Sequence, residues 1–254
     1  MKLLIANDDG INAPGLSALV TALKGLGTIY VAAPAHEQSG TGHCITVRDP
    51  IRVRRHTIEG AEDAWVIGGT PADCVKIALA KLAPPKIDLV VSGINHGYNL
   101  GSDVLYSGTV SAAAEGVIMG CPSIAFSLGD HDPRADLTVC IRFARQLIEE
   151  HRALDIVPGE LLNVNFPPLP AERIRGVRFT KLGRRSYGNL FEERHDPRGN
   201  SYYWMGGAIE DEMQDEDSDV LAVDAGYISI TPLSLDLTNY RTLEVYREKH
   251  VLKF

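Results

Sequence analysis

The sequence predicts an α/β fold, a doubly wound and mainly parallel sheet with helices on both faces. Three observations carry this. Short apolar runs without polar alternation recur between Leu3 and Phe166, as expected of strands buried on both sides. Between them lie stretches whose apolar residues return every three or four positions, as on helices packed along one stripe. Polar, glycine-rich loops follow several of the apolar runs, where open α/β sheets bind their ligands.

Leu3-Leu4-Ile5-Ala6 is the first strand, ended by Asn7-Asp8-Asp9-Gly10. After Ala13-Pro14-Gly15, the residues Leu16, Leu19, Val20, Leu23 and Leu26 form a helical stripe. Residues 28–33 are a second strand, stopped by Pro34. Ile45-Thr46-Val47 and residues 51–57 read as a hairpin about Asp49-Pro50, with Arg48, Arg52, Arg54, Arg55 and His56 on a solvated face. Thr70 is the N-cap and Pro71 the first residue of a helix over 71–82. Strand 87–92, small-residue helix 109–119, strand 122–127, amphipathic helix 137–148 and strand 161–166 complete the alternation.

Past Pro167-Pro168-Leu169-Pro170 the pattern changes. Residues 177–181 and 202–205 are strand-like, separated by the turn Asp196-Pro197-Arg198-Gly199. Seven of the ten residues 210–219 are acidic, without the alternating ligands and central glycine of a calcium loop. They read as an exposed loop leading to a short helix capped at Asp217 or Ser218. Residues 227–231 are a last strand, and the tail to Phe254 is amphipathic. The expected division is a catalytic core over 1–182 and an extension over 183–254, with a hairpin arm and tail that reach a partner subunit.

Composition narrows the function. The 254 residues are 44% hydrophobic and 23% charged, the balance of a soluble globular protein. A net charge of −8 argues against a nucleic-acid polymer as main partner, but not against a small phosphorylated substrate beside a cation. Cys44, Cys74, Cys121 and Cys140 have no zinc spacing and read as reduced core residues. Neither a signal peptide nor a membrane-length apolar run is visible, so the expected location is the cytoplasm, with no membrane partner.

The chemistry gathers past the strand ends. Adjacent like charges at Asp8 and Asp9 repel, and a cation between them relieves the repulsion. The loops 34–43 and 92–109 follow two further strands and converge on the same edge. Asp8 and Asp9 carboxylates, the Ser39 hydroxyl and the Asn95 amide oxygen are hard donors suited to magnesium, manganese or calcium. Ser107-Gly108-Thr109 opens a helix and offers hydroxyls and free N–H groups to an anion, with Gly40-Thr41-Gly42 as a second nest. His36, His43 and His96 have no orienting partner visible in the sequence.

These residues resemble a known family, the stationary-phase survival protein SurE. The resemblance is carried by Asn7-Asp8-Asp9-Gly10-Ile11-Asn12-Ala13-Pro14-Gly15, Ser39-Gly40, Ser92-Gly93-Ile94-Asn95 and Tyr106-Ser107-Gly108-Thr109-Val110-Ser111-Ala112-Ala113 with Glu115-Gly116. Gly226-Tyr227 through Thr231-Pro232-Leu233 looks like its C-terminal strand. The chain departs from it at Ala35-His36-Glu37-Gln38, where a more basic or Asn-containing turn is common, and at Cys44, where a small hydroxyl residue is frequent.

The resemblance implies a Rossmann-like core, a metal-dependent nucleotidase, and a homodimer or homotetramer with exchanged C-terminal extensions. It places the metal on Asp8, Asp9, Ser39 and Asn95 and the phosphate on Ser107, Gly108 and Thr109, with Asn12, Gly40 and Thr41 as neighbouring substrate contacts. The substrates implied are nucleoside 5′- and 3′-monophosphates and short polyphosphate, hydrolysed by a metal-activated water with Asp8 or Asp9 as its acid–base partner.

Other readings stay open. An aspartyl-phosphate phosphatase wants an acid two residues after its nucleophile, where this chain has Gly10. A serine hydrolase at Ser107 lacks the flanking glycines, and a nicotinamide enzyme lacks the glycine fingerprint after the first strand. A nucleotide-sensing module without turnover shares the same loops.

Overall fold

Strand β1 (Lys2–Ala6) is apolar on both faces and stable only where a layer covers each side. The computed structural model, which describes residues 1–150, 159–188, 191–209 and 214–249, is built around it. In chain order there follow α1 (Pro14–Leu23), β2 (Thr28–Pro34), β3 (Val53–His56), β4 (Asp63–Ile67), α2 (Pro71–Ile77), β5 (Leu89–His96), α3 (Gly108–Ile118), β6 (Ser123–Leu128), α4 (Thr138–Glu150) and β7 (Glu160–Phe166). The second half adds β8 (Val177–Phe179), β9 (Tyr187–Gly188), β10 (Phe191–His195), β11 (Ser201–Met205), β12 (Ala208–Ile209), α5 (Asp219–Asp224), β13 (Ile228–Ser234) and α6 (Tyr240–Lys249).

Nine strands form one sheet in the order β3-β4-β2-β1-β5-β6-β7-β13-β8. Every neighbouring pair is parallel except β3–β4 and β13–β7. One face buries Leu3, Ile5 and Val91 against Leu16, Leu19 and Leu23 of α1 and Ala144 and Ile148 of α4. The other buries Leu4, Ala6 and Val90 against Cys74 and Val75 of α2 and Ala112 of α3. This is the doubly wound sheet the sequence predicts. The chain passes from β1 to β2 on one side and reaches β5 on the other, so the order reverses at β1. The crevice at such a reversal is where these sheets bind ligands.

One predicted element is wrong. Residues 45–47 are not a strand, and the hairpin is β3 against β4, with Arg55 opposite Trp65. The apolar run Ala64-Trp65-Val66-Ile67 continues the sheet as a parallel partner of β2. Thr46 instead gives its N–H (3.0 Å) and its hydroxyl (2.6 Å) to the Asp73 carboxylate at the start of α2. The arginines at 52, 54 and 55 are exposed, as expected of a solvated face. Cys44 is exposed too, whereas Cys74, Cys121 and Cys140 are buried, and all four are free. The 71–82 helix forms with the expected Thr70 cap, its last turn widening into a π-helical segment over Ala78–Leu82.

In the second half, the turn at Asp196 joins β11 to β10, not to residues 177–181. Ser218 caps α5, its hydroxyl accepting the Leu221 N–H (3.2 Å). Strand β13, from the segment expected as an extension, enters the main sheet between β7 and β8. Residues 210–213 of the acidic run and 250–254 of the tail lie outside the described residues. Among the described residues no helix is long and apolar enough to cross a membrane.

Phe166 ends β7 fully buried, its ring 6.1 Å from Phe126 and edge-on to Phe143 at 5.7 Å. Replacing a core phenylalanine by alanine costs about 3–5 kcal/mol, through lost burial and the cavity left behind. Phe166→Ala should therefore shift the chemical-denaturation midpoint strongly. Leu237→Ala, at a side chain 87% exposed, should change stability by less than about 0.5 kcal/mol.

Candidate active site

The carboxyl end of β1 is held by its own side chains. Asn7, fully buried, donates Nδ2–H to the Gly10 carbonyl (3.0 Å) and accepts the Gly10 N–H on Oδ1 (3.3 Å). That double bond closes a tight turn in which Asp8 is only 4% exposed. The Asp8 carbonyl accepts the Gln38 N–H (2.8 Å), which ties the loop after β2 to the same spot. From the other side the Thr109 hydroxyl donates to the Asp8 carboxylate. Residue 108 must be glycine for this approach, because a Cβ there would stand 2.7 Å from the Asp8 Cβ.

Burial drives the electrostatics. It pushes the Asp8 carboxyl up from 3.8 to about 6; the Thr109 hydroxyl pulls it back and the neighbouring Asp9 charge adds to the rise. Asp9 is raised to about 6 as well, first by burial, then by repulsion from Glu37, against the pull of the His96 backbone N–H. The Asp9 Oδ2 atom is buried and has no hydrogen-bond partner among the described residues. Such an oxygen carries a desolvation cost that a proton or a cation removes.

A cavity of about 1170 Å³ opens over this pair. Of the residues the sequence singled out, Asp8, Asp9, Ser39, Gly40, Asn95 and Ser107 line it together. The Ser39 hydroxyl donates to Glu37 Oε1 (2.7 Å) and keeps its lone pairs. Asn95 donates its amide N–H to the Gly97 carbonyl (2.8 Å), a bond that leaves the amide oxygen uncommitted. Ser107 caps α3, its Oγ accepting the Val110 N–H (3.0 Å). Gly108, at the first helical position, has no intrahelical acceptor for its own N–H.

Four of the predicted residues are placed otherwise. Thr109 is fully buried behind Asp8 and Gly108 packs against that side chain, so neither side lines the cavity. The Thr41 hydroxyl donates to the Gln38 carbonyl (2.9 Å), closing its own loop. Asn12 is exposed on the turn beyond Gly10.

The histidines separate clearly. His36 is exposed. His43 Nε2 lies 2.8 Å from Glu115 Oε2, and Lys76 Nζ reaches the other oxygen of that buried carboxylate at 2.6 Å. His96 lines the cavity with Nδ1 3.9 Å from Asp9 Oδ2. Burial lowers its pKa; Asp130 and Asp132 oppose that and His131 reinforces it. Burial thus favours the neutral ring beside Asp9.

Of the far wall of the cavity, the sequence singled out Tyr106 and the loop that carries Asp103, but not Arg185 or Tyr187. Asp103, Tyr106, Arg185 and Tyr187 line it. Tyr187 donates its hydroxyl to Asp103 Oδ2 (2.6 Å), and Arg185 Nη1 lies 3.5 Å from the same oxygen. Nothing in the spacing of these residues announces a contact, because the topology of the second half creates it.

The family described as "Survival protein SurE" matches residues 3–189 of this chain. The 5'-nucleotidase SurE of Syntrophomonas wolfei is 56% identical over 248 residues, covering 98% of this chain and 94% of that protein. That of Heliobacterium modesticaldum is 50% identical over 246 residues, covering 96% and 90%. The crystal structure of the SurE protein from Aquifex aeolicus superposes with a TM-score of 0.81 at 40% identity, over 98% of this chain and 99% of that one. On sequence and architecture alike, the chain belongs to the SurE family.

Proposed function

We propose that this chain is a divalent-metal-dependent phosphomonoesterase that hydrolyses nucleoside 5′-monophosphates to nucleoside and phosphate. The names of its relatives support the substrate class. The observation that carries the chemistry is the pair Asp8 and Asp9, enclosed at the sheet's switch point, where the buried Asp9 Oδ2 has no hydrogen-bond partner among the described residues. Asp8, Asp9, Ser39 and Asn95 present only hard oxygen donors to that point, which fits magnesium or manganese, with calcium able to occupy it.

When bound, such an ion polarises the phosphoryl oxygen and lowers the pKa of water. The chain's own residues do the rest. Thr109 fixes the Asp8 carboxylate in one orientation. Ser107, which caps α3 and lines the cavity, stands at the positive end of the helix dipole, where charge on the phosphoryl oxygens is stabilised. Asp8, or neutral His96 beside Asp9, takes the proton of the attacking water. We extend the reading to 3′-monophosphates and short polyphosphate, for which the cavity has ample room, and to action in the cytoplasm.

The same reading gives the C-terminal arms an oligomeric role, as a homodimer or homotetramer. Among the described residues, strands β10 and β11 pair only with each other, and Phe191, Tyr203, Trp204 and Met205 are each about 60% or more exposed. An isolated two-stranded ribbon with aromatic side chains on its surface is marginal in water and gains stability by docking.

Three outcomes test these points. AMP with manganese should release phosphate, EDTA should abolish the release, and Asp8→Asn should reduce turnover by about 100-fold or more while the fold is kept. Binding without turnover would identify a sensor instead.

The second concerns pH. Unfolded, both carboxyls titrate near 3.8; folded and metal-free, each keeps its proton to about 6. The folded state holds more protons across that window, so metal-free stability falls as pH rises from about 4 to about 6. A cation binds the ionised pair, so manganese should raise the Tm more at about pH 7 than at about pH 5. An equal rise at both would remove these carboxylates from the metal site.

Finally, Trp204→Asp should lower the molar mass measured by light scattering. An unchanged mass would exclude the hairpin from the interface.

A further inference from the structure

The cavity has two ends of different chemistry. One holds the carboxylates and the start of α3, which is all a phosphate group needs. The other is a wall formed where the segment from Gly183 to Tyr187 folds back over the segment from Gly101 to Tyr106. We propose that this wall holds the nucleoside, that Tyr187 meets the base, and that Asp219 is the positioning residue that pins the wall together. The inference rests on the nucleotidase reading above.

The junction is built, not incidental. Asp219 is fully buried at the start of α5, and its carboxylate accepts three backbone N–H groups. Oδ2 takes the N–H of Gly101 (2.9 Å); Oδ1 takes those of Gly183 (2.7 Å) and Val220 (2.9 Å). One side chain thus bonds both segments of the wall. The two backbones meet at glycines: a Cβ on Gly101, whose φ is +51°, would stand 2.7 Å from the Gly183 carbonyl oxygen. Further along, the Ser102 hydroxyl donates to the Arg185 carbonyl (3.1 Å), and Asp103 joins Arg185 and Tyr187. Pairing of β9 with β12 holds Tyr187 from the opposite side.

The face so positioned suits a flat heterocycle. Tyr187 is 36% exposed and Tyr106 is 66% exposed, and both line the cavity that contains Asp8 and Asp9. Bases stack on aromatic rings with little dependence on their identity. The chemical class recognised is therefore a nucleoside, by its base plane.

The test separates base from phosphate. The substitution Asp219→Asn keeps one accepting oxygen but turns an N–H₂ toward an N–H, which releases one segment of the wall. Asp219→Asn and, at the exposed side chain, Tyr187→Leu are assayed with manganese on AMP and on ribose 5-phosphate, which lacks the base. Adenosine affinity is measured by calorimetry, and thermal melting checks the fold.

The expected result for both variants is a KM for AMP raised by about tenfold, the loss of one good contact. Adenosine should bind about tenfold more weakly, and the values for ribose 5-phosphate should stay within about twofold. Parallel changes on AMP and ribose 5-phosphate, or no change on AMP, would overturn the proposal. Absence of hydrolysis of either substrate by the unaltered enzyme would instead overturn the nucleotidase reading.

Discussion

Two like charges, adjacent in the chain and nearly closed off from water, must be held at the tip of the central strand. Most of the local architecture answers that constraint. Asn7 spends its amide on closing the turn, Thr109 spends its hydroxyl on Asp8, and residue 108 gives up a side chain so that α3 can approach. The cost of enclosure appears as two carboxyls that keep their protons far above the usual range. A structure with no use for a cation gains nothing from this arrangement, since a single hydrogen-bonded polar residue would close the turn without the repulsion.

The helix that delivers Thr109 is itself anchored. Glu115, two turns further along α3, is buried and shared between Lys76 of α2 and His43 of the preceding loop. The Gly42 N–H bonds the Tyr106 carbonyl (3.0 Å), so the loop that carries Ser39 is tied to the segment that leads into α3. The three loops at the sheet edge are therefore one cross-braced unit, and a shift in one displaces the donors of the others.

Much of this was legible in the sequence, for a definite reason. Strands buried on both faces leave unbroken apolar runs, and the helices between them leave a three-to-four spacing. Those local signals placed β1, β2, β5, β6 and β7 and the loops that follow them. The hairpin was misjudged because Ile45-Thr46-Val47 carries a β-type composition, while its hydrogen bonds go to a helix-capping carboxylate that no local pattern announces. Thr109 read as a ligand contact because a hydroxyl at a helix start serves either role; only the tertiary approach of β1 decides which. Asp103, Arg185 and Asp219 were missed because their partners lie far away in the sequence. Such pairings are set by the order of strands, not by spacing.

The position of β13 has a bearing on how the chain comes to be folded. It lies between β7 and β8, and both are made earlier on the ribosome. Until Ile228–Ser234 emerges, β7 presents an open row of backbone donors and acceptors, and β8 has nowhere to pair. A strand made late in the chain therefore closes an edge that the earlier strands leave open.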